Sequence, residues 1–179
     1  MKRLILVCSI AAAMFGVARI GEGRATPTQG SRERLETDIR RQLNPLVGVF
    51  DNVTFKVEAD QTVTLFGQVR EPNSKKHVEE DTMKVEGVRA VKNEIEVLPL
   101  SPSDDELRLR IYRAVYSQEG LQRYSIQTNP PIHIIVRNGA VTLEGIVATS
   151  LESTQANLAA NQVSGAFSVK NNLRVEREA

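Results

Sequence analysis

Apolar residues alternate with polar ones at Val53, Phe55 and Val57, and again at Ile132, Ile134 and Val136, the period of a strand with one buried face. A second strand pattern follows each run, at Val63 to Val69 and at Val141 to Val147. Before each pair the apolar spacing changes to four, with Leu35, Ile39 and Leu43 in one place and Leu107, Ile111 and Val115 in the other, which places these residues on one side of a helix. Ser103 to Glu106 has the form of a capping box for the later helix. After each pair, Ser74 to Val85 and Glu152 to Val163 read as further helices, and Gly87 and Gly165 fit the left-handed position that closes a helix. Asn138-Gly139 is the dipeptide preferred in a hairpin turn whose two residues both need positive φ. The first hairpin's turn differs in length by one residue.

The pattern occurs twice because the sequence does. Val63-Thr64-Leu65-Phe66-Gly67-Gln68-Val69 returns as Val141-Thr142-Leu143-Glu144-Gly145-Ile146-Val147, 78 positions on. The register then holds without a gap: Val85 matches Val163, Gly87 matches Gly165, Val91-Lys92-Asn93 matches Val169-Lys170-Asn171, and Val97 matches Val175. A shared register of that length marks an internal repeat. Each copy reads helix, strand, strand, helix, strand. The fold class is α+β, with two tandem two-layer sandwiches, each a three-stranded mixed sheet packed on two helices. Domain one spans residues 33–98 and domain two 104–176, joined by a stiff linker at 99–103 that contains Pro99 and Pro102. Gly67 and Gly145 interrupt strong strands, where a glycine permits a bulge or a close backbone approach.

The N-terminus changes the picture of where the chain works. Lys2 and Arg3 precede an apolar run from Leu4 to Val17, with small-residue cleavage sites at Ala18 and Ala25. This is the form of an export signal, residues 1–25, followed by a linker at 26–32. Cys8, the only cysteine, follows the bulky Val7 and lies too early in the apolar run for a lipid-modified site. Removal of the signal leaves no thiol for disulfides, catalysis or metal binding. It also removes four basic residues and one acid from totals of 23 and 22, leaving 19 and 21, so the formal +1 becomes −2. That is not the footprint of a nucleic-acid binder.

The repeated segments Val63 to Val69 and Val141 to Val147, each with its central glycine, resemble the BON family, the bacterial osmotic-stress and nodulation domain. So do Gly87, Val91-Lys92-Asn93 and Val97 with their counterparts Gly165, Val169, Lys170 and Asn171. The resemblance covers Arg34 to Val97 and Asp105 to Val175. It implies an exported envelope protein with a binding role rather than catalysis, with phospholipid at the outer membrane among the ligands. Dual-domain members include soluble stress proteins and lipidated ones.

Candidate chemistry is sparse. His77 and His133 fall in different domains with no metal-ligand spacing. No nucleophile elbow, phosphate-binding loop, paired-carboxylate motif or cofactor motif stands out. The informative asymmetry lies on the leading helices. In copy two, Arg108, Leu109, Tyr112, Arg113 and Tyr116 flank the apolar stripe, and Leu121 and Tyr124 extend it within an insertion at 117–131. Copy one has Glu36, Thr37, Arg40, Arg41 and Asn44 instead. Tyrosine beside arginine suits an anionic membrane surface and suits a protein partner equally. The same tyrosines also fit a packing role, against the insertion or against domain one. The leading expectation is weak peripheral binding to anionic phospholipid, in the periplasm or at the outer membrane. The alternative is a soluble stress protein or adaptor for an envelope protein.

Overall fold

The computed structural model describes residues 29–127 and 129–176. The export signal, with Cys8, Ala18 and Ala25, lies outside the described residues.

Domain one runs α1 (Gln29–Leu43), β1 (Asn52–Val57), β2 (Thr62–Val69), α2 (Pro72–Met83), β3 (Ala90–Asn93) and β4 (Glu96–Val97). Domain two repeats the order as α3 (Pro102–Tyr116), β5 (Ile132–Arg137), β6 (Ala140–Val147), α5 (Ser150–Asn161), β7 (Ser168–Asn171) and β8 (Arg174–Val175), with a short α4 (Gln122–Ser125) in the insertion. In each sheet the hairpin strands pair antiparallel, and the returning strand pairs parallel with the second of them. Each domain is therefore a two-layer α+β sandwich with a mixed sheet.

The returning strand is split in two, which the sequence pattern did not announce. Asn93 is the cause in domain one. Its side-chain oxygen accepts from the N–H of Ile95 at 3.1 Å, and its amide donates to the Lys75 carbonyl and the Glu79 carboxylate on α2. The local bond takes a backbone donor out of the ladder and turns Ile95 into the core, where it is 1% exposed. Asn171 does the same with the N–H of Leu173 and with Ser153 on α5. The repeated Val-Lys-Asn is thus a clasp between strand and helix.

Gly67 and Gly145 have φ of 116° and 125°. A Cβ at either position would lie 1.9 Å from a backbone oxygen, that of Asn52 or Pro131. No side chain fits there. Asn138 and Gly139 both have positive φ, as their turn requires, and the first hairpin turns instead with Gln61 at 67°.

Two local expectations are corrected. The cap of α3 is Ser101, whose side chain accepts from the N–H of Asp104, with Pro102 opening the helix; Ser103 and Glu106 already lie inside it and form no capping box. Pro102 sets the start because its fixed φ and missing N–H suit a first helical position. Gly87 and Gly165 do have positive φ, but α2 and α5 end earlier, at right-handed Lys84 and Gln162. These glycines turn the chain toward the returning strand rather than close the helix.

Candidate functional site

The leading helix of domain two packs closely on β5 as well as on α5, whereas the backbone of α1 lies close to α2 and less close to β1, which it meets through side chains. That placement decides the fate of the tyrosine and arginine face. Arg108 is 1% exposed, Tyr116 5%, Leu121 0% and Tyr124 8%. Tyr112 is half-buried, its ring 4.7 Å from that of Tyr116. Leu109 and Arg113 alone of the seven face solvent. The exposed stripe expected from the sequence is therefore corrected: Arg108 and Tyr116 are drawn inward because the edge of the sheet gives their polar ends partners, Tyr124 because Glu152 of α5 does, and Leu121 by packing in the core.

The partners are specific. In an edge strand, every second residue turns its N–H and C=O away from the sheet. On β5 these residues are Ile132, Ile134 and Val136. The Tyr116 hydroxyl donates to the Ile132 carbonyl at 2.7 Å. The Arg108 guanidinium donates to the Val136 carbonyl and to Asp105. The Ile134 N–H donates to the carbonyl of Val49, a residue of domain one, at 2.8 Å. One turn before Arg108, buried Asp104 accepts from the N–H groups of Asn138 and Gly139 at 2.8 and 2.9 Å, tying α3 to the hairpin turn. Burial holds the Tyr116 hydroxyl well above the ordinary phenol range. The insertion is pinned as well: Tyr124 donates to Glu152, which Arg123 also reaches, and Glu152 completes a capping box with Thr149 at the start of α5.

Val49 belongs to a loop whose role the sequence analysis missed. Leu46, Val47, Val49 and Phe50 crowd a short connection that needed no apolar residue for its turn, which was the available signal. Val49 and Phe50 pack against the core of domain two, with the Phe50 ring edge-on to Tyr112 at 6.1 Å. His133 Nδ1 donates to the Gly48 carbonyl at 3.2 Å, and Asn129 bonds Asn44 at 2.9 Å. The two domains thus share a seam. Burial at that seam pushes the His133 pKa below its ordinary value. His77, by contrast, lies exposed on α2.

Domain one lacks the plugs. At the matching positions Asp104 becomes Arg32, Arg108 becomes Glu36, Tyr112 becomes Arg40 and Tyr116 becomes Asn44. Arg32 and Glu36 pair with each other at the surface, 3.1 Å apart. Arg40 lies over the Phe55 ring. The first hairpin closes with Glu58 N–H bonded to the Thr62 carbonyl, so the register turns the N–H and C=O of Val53, Phe55 and Val57 outward. Among the described residues nothing hydrogen-bonds to them.

Two surfaces remain open. The first is the outer side of the helical layer of domain two. There α5 exposes Leu151 and Leu158 and carries no charge except buried Glu152, while neighbouring α3 exposes Leu109, Arg110 and Arg113. The equivalent α2 carries Lys75, Lys76, His77, Glu79, Glu80 and Asp81. The second is a cleft of ≈ 700 Å³ between the domains, walled by the end of α1, by β1 and by the open face of the second sheet at Glu144 and Ile146. Among the described residues no cluster of His, Cys, Asp and Glu has metal-binding geometry, and no helix is long and apolar enough to cross a membrane.

These features define a class, paired two-layer α+β modules joined along a sheet edge. The family model described as BON domain matches residues 31–99 and 103–177, and the chain belongs to that family. Two such domains point to a non-enzymatic, envelope-associated protein. Two solved structures of CdsD, a structural protein of the type III secretion system of Chlamydia trachomatis, align with this chain at 12% identity and a TM-score of 0.32. The one of its C-terminal domain covers 79% of this chain and 96% of its own, and the other 80% and 92%. No curated protein matches.

Proposed function

We propose that the protein is a periplasmic, non-enzymatic binding protein that attaches weakly to anionic membranes through the outer surface of the helical layer of domain two. The observation that carries this reading is the solvent side of α5, which is uncharged and exposes Leu151 and Leu158 beside Leu109, Arg110 and Arg113 of α3. A soluble helix ordinarily turns charge outward, as α2 does.

The attraction is modest. Partial insertion of each leucine contributes about 1 kcal/mol, and each arginine near an anionic surface adds about 1 kcal/mol. A total of about 5 kcal/mol corresponds to a sub-millimolar constant, reversible and weakened by salt. The experiment is co-sedimentation of the intact chain with vesicles of phosphatidylglycerol and phosphatidylcholine. Changing Leu109, Leu151 and Leu158 together to Ser abolishes pelleting and leaves the circular dichroism spectrum unchanged, because all three side chains already face water. Undiminished pelleting of that variant, or equal pelleting with neutral vesicles, contradicts the reading. Tyr112 and Tyr116 are unsuitable for this test, since changing them removes packing and a buried hydrogen bond.

A further inference from the structure

We infer that the cleft between the domains is a binding site for an extended peptide bearing acidic side chains, which adds as a further strand to the outer edge of β1. This site is separate from the proposed membrane surface and does not depend on it.

Three observations converge. The first is the open edge itself: outward N–H and C=O groups of Val53 and Phe55 line the cleft wall, spaced to pair with another strand and bonded to nothing among the described residues. The second is the matching edge within the same chain. On β5 three of the equivalent groups are engaged, the Ile132 carbonyl by Tyr116, the Val136 carbonyl by Arg108 and the Ile134 N–H by the backbone of Val49, so this edge accepts backbone from the other domain. The positions that close β5 from its own helix are Glu36 and Asn44 in domain one, and neither reaches β1; Glu36 is held by Arg32 and Asn44 by Asn129. The cleft along Val53 to Phe55, ≈ 700 Å³, leaves room for an extended segment.

The third observation is charge. Arg40 and Arg174 line the cleft, and among the described residues neither forms an ion pair. The one acid on the cleft wall, Glu144, accepts from the Asn172 amide at 2.6 Å and keeps its charge, but the two arginines outnumber it. Burial lowers the His133 pKa, and its Nδ1 is committed to the Gly48 carbonyl. The cleft is therefore cationic, with Ile146 as an apolar contact opposite β1. Main-chain bonds to β1 supply affinity, and carboxylates meeting Arg40 and Arg174 supply the preference for acidic sequences.

The probe is a fluorescein-labelled heptapeptide of alternating valine and glutamate, titrated into the intact chain while amide hydrogen exchange is followed. Binding is expected to slow exchange at the Val53 and Phe55 amides and to leave Ile134 unchanged. A heptapeptide N-methylated along one edge, which cannot complete the ladder, is expected not to bind. Arg40→Glu, a change at an exposed side chain, is expected to weaken binding about tenfold, and a valine and lysine heptapeptide should bind more weakly still. Equal binding of the N-methylated peptide, protection appearing away from β1, or no binding at millimolar peptide overturns the proposal. Vesicle pelleting in the presence of saturating peptide should be unaffected, so failure of one site leaves the other to stand or fall separately.

Discussion

β1 and β5 are the same strand in two copies of one domain, and they differ in what is done with their outer edge. β5 is closed from three directions: a tyrosine hydroxyl, a buried guanidinium and a backbone carbonyl from the neighbouring domain. β1 keeps its edge open, because the positions that would close it hold Glu36 and Asn44, which form local contacts elsewhere. An edge strand must be either covered or used, since unpaired main-chain groups recruit other strands. The comparison teaches that side chains which look like a surface motif in a linear sequence can be edge plugs, and that the copy without them leaves its edge groups without partners among the described residues.

The largest way to break the comparison is to give domain two the residue of domain one. Arg108→Glu places a carboxylate beside the Val136 carbonyl, Asp105 and Asp104, in a site only 1% exposed. A loss of about 3 to 5 kcal/mol follows, read as the unfolding midpoint in denaturant. Stability unchanged within error would mean that Arg108 does not close the edge. Tyr116→Phe is gentler. It keeps the ring and strands the Ile132 carbonyl, at a cost of about 2 kcal/mol. The mirror change, Asn44→Phe, removes only the exposed bond to Asn129 and should cost no more than about 1 kcal/mol. Equal effects at the two sites would erase the distinction between the edges.

The smallest effect is expected from pH. Burial lowers the His133 pKa from 6.5, so as pH falls the unfolded chain takes up its proton before the folded one does. The seam's contribution is fully present above about pH 6.5 and is lost as pH falls through the lower folded value. Asp51 and Glu144 beside the ring favour the charged form and soften the loss. His133→Gln should flatten this part of the stability profile. An unchanged slope in that variant would place the acid sensitivity elsewhere.

Much of the architecture was legible because the repeat states it twice. The alternation at Val53 to Val57, the four-residue spacing on the helices and Asn138-Gly139 each specify a local conformation whose cause is local. The site was less legible because its logic is tertiary. Nothing in the spacing of Arg108, Tyr112 and Tyr116 distinguishes a wet face from one folded over a strand edge; that depends on how closely the helix lies on β5. The domain seam was hidden for the same reason, although Val49 and Phe50 stood as apolar residues without a local purpose. Asn93 and Asn171 were visible as a repeated letter, and only the geometry shows that they clasp strand to helix.

The claim that one edge is closed and the other open is tested most directly by native-state hydrogen exchange at two equivalent amides, Ile134 and Phe55. Ile134 donates to Val49 at the seam, and Phe55 has no acceptor among the described residues. The account predicts strong protection at Ile134 and near-free exchange at Phe55 in the unliganded chain. Comparable protection at both amides, or protection at Phe55 alone, would contradict it.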